Sequence, residues 1–196
     1  MSSLADLGVK KNWTYETIIT CFNDDIPHAA PFGIKTPDMK TIQIEMYKGS
    51  ETLAIILNTK EFVINLANDP AYYFYSLYER SKIRFSEAKN VKAPFITECP
   101  AFLEARMRAP IENIKSYIIE AEIIKINIKN IPRLFNRAEA LVIESLITAT
   151  RIGYYPDGKA EEILKENYRV VKKVAPDSSF LDIMDRLFNE MCIFIK

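Results

Sequence analysis

Histidine is nearly missing from this chain: His28 is the only one in 196 residues. A histidine-rich metal centre is therefore excluded, and one histidine without a nucleophile partner supports no catalytic triad. Cysteine is scarce too. Cys21, Cys99 and Cys192 are odd in number and far apart. With no CxxC or Cys/His spacing, they argue against a zinc site and against a disulfide-stapled secreted fold. Neither sign of charge is in surplus, because Lys plus Arg and Asp plus Glu both number 26. A nucleic-acid binder usually shows a basic excess, so this balance points away from one. No stretch approaches the ~20 uncharged apolar residues that a membrane-spanning helix needs. Residues 1–10 carry no apolar run after their charges, so no export leader is read there. GxGxxG is absent as well, and the early strands follow one another too closely for helical crossovers, which disfavours a parallel doubly wound sheet. The expectation is a soluble cytoplasmic protein with no nucleic-acid and no membrane partner.

What is present suffices for a core: 48% of the residues are hydrophobic, and a chain this long buries roughly 70% of its unfolded surface. Residues 15–22 are β-branched and aromatic and read as a strand. Asn23-Asp24-Asp25 is a turn cluster, and residues 27–34 return as the second hairpin arm. Pro27 and Pro31 remove ladder donors there, which predicts an edge or bulged segment. Residues 41–46 and 61–66 read as strands, and residues 50–58 between them as a helix opened by Ser50. Pro70 suits the first turn of a helix through residue 77. Residues 81–91 are polar and carry no assignment. Residues 102–109 and 116–128 read as long strands, the second changing phase near Ile123-Ile124 as a bulge would make it. After Pro132 the period turns helical, over residues 134–153, 159–174 and 179–192. The fold class is mainly β with α. An antiparallel barrel of roughly six strands with short inserted helices occupies residues 1–131. A C-terminal helical portion, residues 132–196, packs on it.

The loop Tyr47-Lys48-Gly49-Ser50-Glu51-Thr52 has the parts that hold a phosphate. Lys48 is a point charge, Gly49 lets the backbone approach, and Ser50 and Thr52 add hydroxyls to the first amide N–H groups of a helix. Read without further context, Ser50 only caps that helix and Lys48 is solvated. Beyond Pro132, Arg137, Glu144 and Arg151 recur every seven residues and share one helical face. By composition this is a solvated ion cluster, worth little to stability. Tyr72, Tyr73, Phe74, Tyr75 and Tyr78 read as core and interface.

Three ordered pieces resemble a mostly archaeal family of the FMN-binding split-barrel superfamily, which also holds flavin reductases and pyridoxamine-phosphate oxidase-like proteins. They are residues 15–34, Tyr47 to Leu53 with Phe62 to Leu66, and Asn136 to Ala140 with Glu144 through Arg151. The resemblance covers nearly the whole chain and implies a split β-barrel, bound FMN and a homodimer with cofactor near the subunit interface. One departure is visible: the hairpin turn reads Asp24-Asp25-Ile26-Pro27, where many relatives carry a glycine. Under the resemblance, Lys48, Gly49, Ser50 and Thr52 hold the FMN phosphate, and the two hydroxyls are dispensable for folding of the apo form. The ring lies along His28, Ala29, Ala30 and Gly33, where small residues admit a plane and backbone N–H groups reach it. The competing reading of that segment is a tight β-edge packed under a helix, with His28 a turn-adjacent surface residue. A hydroxyl of Thr17 or Thr20 faces the ribityl chain, or both are ordinary strand threonines. The Asn65 amide reads a flavin carbonyl or satisfies a turn. Arg151 reaches the phosphate or a dimer partner. The implied function is an oxidoreductase passing hydride or electrons between NAD(P)H and flavin or a small acceptor. The alternatives are a non-catalytic flavin-binding or sensing protein, or the same barrel holding another phosphorylated ligand or a deazaflavin.

Overall fold

The structure, a computed structural model, describes residues 2–191; the expected end of the last helix, Cys192, lies outside them. Eight strands are present among the described residues: β1 (Tyr15–Asn23), β2 (Ile26–Lys35), β3 (Thr41–Tyr47), β4 (Glu61–Leu66), β5 (Phe85–Glu87), β6 (Pro94–Ile96), β7 (Ala101–Glu112) and β8 (Ser116–Ile128). Five helices accompany them: α1 (Glu51–Thr59), α2 (Ala71–Tyr78), α3 (Arg137–Thr150), α4 (Lys159–Val174) and α5 (Ser179–Glu190). Six strands close an antiparallel barrel in the order β1-β2-β3-β8-β7-β4, and β5 pairs only with β6. By contacts the chain divides into two units. The first holds the residues up to Lys11 and Tyr15–Phe135, and the second holds Asn12–Thr14 and the chain from Asn136 onward.

Period-two alternation builds the barrel. On β3, Ile42, Ile44 and Met46 are buried while Glu45 and Tyr47 are exposed, so one face serves the core and the other serves solvent. On β1 both faces are covered. Ile18 packs with Ala29, Ile83 and Ile96, against Tyr72, Tyr73 and Tyr75 of α2. The phase change in β8 is a bulge: Glu104 faces Lys125 and Ala105 faces Ile123, leaving Ile124 without an opposite residue. A second irregularity lies between Met107 and Ala109. Such bulges sharpen the twist that closure requires.

β2 positions the site. It pairs with β1 along its whole length, from Tyr15↔Ile34 to Asn23↔Ile26. It meets β3 only at Ile34↔Ile44 and Lys35↔Gln43. Residues 26–33 are therefore strand-paired on one side only. The Ala29 carbonyl accepts from Arg80 Nη2, so Ala29 turns its main-chain groups toward that open side. The two-residue period gives Pro27, Pro31 and Gly33 the same direction. Both prolines thus stand where an N–H would have no strand partner, which is where a strand tolerates them.

The polar stretch after α2 holds a feature the sequence does not announce. Arg80–Lys82 form a single 3-10 turn, and β5 follows to make a short hairpin with β6. Three-residue strands are too short for alternation to reveal them. In the second unit, Val142, Leu164, Tyr168, Val171, Met184 and Phe188 form one core with Trp13 packed against it. Asn136 caps α3 by accepting from the Ala138 N–H at 2.8 Å. Among the described residues no helix is long and apolar enough to cross a membrane.

Candidate functional site

The turn after β3 is closed by Ser50 N–H donating to the Tyr47 carbonyl at 3.1 Å. Gly49 takes φ +88°, and nothing lies within 4 Å of where a Cβ would stand. Backbone conformation, not space, demands glycine here. Ser50 occupies the N-cap of α1 without making the side-chain bond that such a serine usually makes. Among the described residues its hydroxyl has no hydrogen-bond partner. Thr52, in the first turn, is only 2% exposed.

Thr52 is held by His28. Its Oγ1 lies 2.8 Å from His28 Nε2, joining the open stretch of β2 to the start of α1. His28 is 4% exposed, so the expectation of a surface histidine is corrected. The strand turns the imidazole under α1, and the bond to Thr52 compensates its burial. The other ring nitrogen, Nδ1, has no hydrogen-bond partner. Glu51 Oε2 stands 3.6 Å away, an electrostatic neighbour just beyond hydrogen-bond reach. Burial and then the positive charge of Arg80 push the His28 pKa below its ordinary value, with Glu51 opposing in part. The ring is therefore neutral at pH 7.

Arg80 is the functional candidate that sequence reasoning misses. It follows the aromatic helix in a polar run with Lys82 and Arg84, and nothing in the sequence separates it from them. In the structure Lys82 pairs with Glu79 and Arg84 with Glu98, while Arg80 pairs with no carboxylate among the described residues. Its Nε is buried without a partner, and its one bond, to the Ala29 carbonyl, is long at 3.4 Å.

The remaining sequence candidates sort by what already engages them. The Lys48 ammonium pairs with Glu112 and lies 5.4 Å from the Tyr117 ring; the bond to Glu112 raises its pKa. Thr17, fully buried, donates to the Phe32 carbonyl at 2.9 Å. Thr20 and Asn65 form one buried network. The Asn65 amide nitrogen donates to the Ile18 carbonyl and to Thr20 Oγ1, each at 2.9 Å, and Asn65 Oδ1 accepts from Ile96 N–H at 2.8 Å. Thr20 Oγ1 donates to the Pro94 carbonyl. Ala29 is buried, whereas Ala30 and Gly33 are partly exposed on the open stretch. Arg151 is exposed and follows the last residue of α3, in the second unit. Cys21 is buried, and burial followed by the Glu51 charge pushes its thiol up to about 12. It is no nucleophile at neutral pH.

The structure thus gathers His28, Ala29, Ser50, Thr52 and Arg80 within the barrel unit. A helix N-terminus, an uncommitted hydroxyl and an unpaired guanidinium provide for an anion. The open side of β2, lined by small residues, provides main-chain groups for a flat polar ring.

Residues 15–130 match the family model described as protein of unknown function (DUF447) N-terminal domain, and residues 136–189 match the model described as protein of unknown function (DUF447). An uncharacterized protein of Methanocaldococcus jannaschii is 25% identical over 180 residues, covering 81% of this chain and 88% of the relative. Among solved structures, the FMN-bound DUF447 protein of Methanosarcina mazei superposes with a TM-score of 0.57 at 21% identity, covering 95% of this chain and 98% of its own. The NADH:FAD oxidoreductase SgcE6 of Streptomyces globisporus superposes with a TM-score of 0.54 at 15% identity, covering 63% of this chain and 75% of its own. At these identities the likeness establishes the barrel fold.

Proposed function

This chain belongs to the DUF447 family, and from that premise we propose that it is a flavoprotein binding FMN without a covalent bond. One observation carries the reading. The open stretch of β2 holds His28, whose Nε2 meets Thr52 in the first turn of α1 and whose Nδ1 is buried without a partner. It also holds Ala29, whose carbonyl is reached by Arg80, whose Nε is likewise buried without one. Buried polar groups are normally satisfied, so unpartnered ones along this open strand edge suit a site completed by a polar ligand. The FMN-bound relative from Methanosarcina mazei supports FMN as that ligand.

The residues fit the group. Ser50 Oγ and the first N–H groups of α1 would receive the phosphate, which carries close to two negative charges at neutral pH. The β2 segment from Ala29 to Gly33 would present main-chain groups to the ring, and these tune a flavin without any catalytic side chain. FMN when bound supplies a carrier of hydride and electrons. The reading extends to an oxidoreductase working between NAD(P)H and flavin or a small acceptor, supported by the flavin-reductase-like neighbours. It extends also to a homodimer, supported by the exposed apolar side chains of α2. A cytoplasmic setting is supported by the free thiols of Cys21 and Cys99.

The spectrum of the purified protein tests the premise. A flavin absorbance that travels with the protein on gel filtration is expected, leaving the protein fraction when denaturation releases the cofactor and returning when refolded apo protein is given FMN. Anaerobic NADH or NADPH then bleaches it if the protein is a reductase. Protein that neither carries flavin nor quenches FMN fluorescence on titration would sink the reading.

A further inference from the structure

We infer that Arg80 is the residue by which this protein selects a phosphorylated flavin over an unphosphorylated one, its guanidinium pairing with the terminal phosphate. The inference rests on the flavin reading above and names a determinant within that site.

Arg80 is a partly buried cation with little to hold it. Nε is buried without a partner, and the bond from Nη2 to the Ala29 carbonyl, at 3.4 Å, is at the far end of hydrogen-bond range. Removing a charge from water costs several kcal/mol unless an opposite charge compensates. Arg84, Arg106 and Arg108 have that compensation from Glu98, Glu61 and Glu122. Arg80 lacks it.

Its surroundings indicate what is missing. Arg80 reaches the β2 main chain at Ala29, next to His28, and His28 touches Thr52 in the first turn of α1. The charge of Arg80 is felt at both His28 and Cys21. The guanidinium and the helix N-terminus therefore share one neighbourhood, into which the buried imidazole also brings an unpartnered nitrogen. A phosphate there would meet a planar donor fork, which guanidinium offers in a geometry that ammonium cannot. Glu51 is an unfavourable neighbour. Its side chain is 61% exposed and can rotate toward water.

The test compares Arg80→Gln and Arg80→Lys with wild type. Apo protein is titrated with FMN and with riboflavin, read by flavin fluorescence, and its thermal unfolding is recorded. Arg80→Gln is expected to weaken FMN binding roughly 10–100-fold while leaving riboflavin binding unchanged. Arg80→Lys should keep part of the FMN preference. If Arg80→Gln also lowers the unfolding temperature, the ratio of the two affinities carries the test, because a folding cost cancels in it. An unchanged ratio, whether both ligands weaken together or neither does, would overturn the inference and leave the flavin reading intact. Wild-type protein that binds neither flavin would overturn both.

Discussion

At His28, burial, a nearby cation and a single hydrogen bond decide the behaviour of one ring. Burial and Arg80 both disfavour the imidazolium, so the folded-state pKa lies below the ordinary value near 6.5. As pH falls below about 6.5 the unfolded chain takes up the proton first, and the native state loses stability until its own pKa is passed. Above the unfolded-state value, about 6.5, the contribution is fully present. His28 is the only histidine, and ordinary carboxylates titrate lower, so this window reports one group. Thermal unfolding of the apo protein is expected to fall between about pH 7 and pH 5.5, and His28→Gln is expected to flatten the slope. A flat wild-type profile would contradict a buried neutral ring. Ser50 and Thr52 look equivalent in sequence, but the structure separates them. Thr52→Ala leaves buried His28 Nε2 without its partner and should cost ~1–3 kcal/mol in urea unfolding. Ser50→Ala removes a hydroxyl that caps nothing, and apo stability should stay near wild type.

Among the elements, β2 and the segments that knit to it show which signals survive in sequence. The change of phase in β8 is legible because thirteen residues carry it, and the bulge falls at Ile124, where the alternation shifts. The two prolines of β2 are legible as edge residues. Which flank is open depends on β3, whose pairing ends at Ile34 and Lys35. The β1–β2 connection turns on Asp24 and Asp25 alone, with φ values of 47° and 66°. Two residues in that region make the mirror-image turn that suits a twisted hairpin, here without the glycine usual for it. Asn65 is the clearest case of a residue whose type is informative and whose purpose is not. A buried amide ending an apolar strand looks equally like a ligand contact. In the fold its three bonds tie β4 to β1 and to β6. Asn65→Leu should therefore destabilise the barrel by several kcal/mol, well beyond an ordinary surface change, because it strands the Ile96 N–H and two acceptors in the interior. Equilibrium unfolding in urea reads this directly, and a loss below about 1 kcal/mol would mean the network is dispensable.

On the scale of the whole molecule, the barrel unit leaves an apolar face uncovered on α2. Phe74, Leu77 and Tyr78 are exposed and stand at helical spacing on one side. The proposed homodimer would bury them. Light scattering after gel filtration is expected to give about twice 22.6 kDa for the wild type and a monomer for Phe74→Ser with Leu77→Ser and Tyr78→Ser. A wild-type monomer would remove the dimer from the reading.

What was legible in the linear chain was whatever local periodicity and turn chemistry carry. That includes the β-then-helical order, the six long strands, the small-residue hairpin and the glycine turn opening α1. These depend on neighbours within a few positions, so composition and spacing express them. The choice of which polar groups are spent on the fold and which are left over was made only in three dimensions. Thr17, Thr20, Asn65 and Lys48 are engaged by partners from 15 to 74 residues distant. Arg80 Nε and the Ser50 hydroxyl are left without such partners. Hydrogen-bond satisfaction is a property of assembled surroundings, and no single segment contains the atoms that decide it.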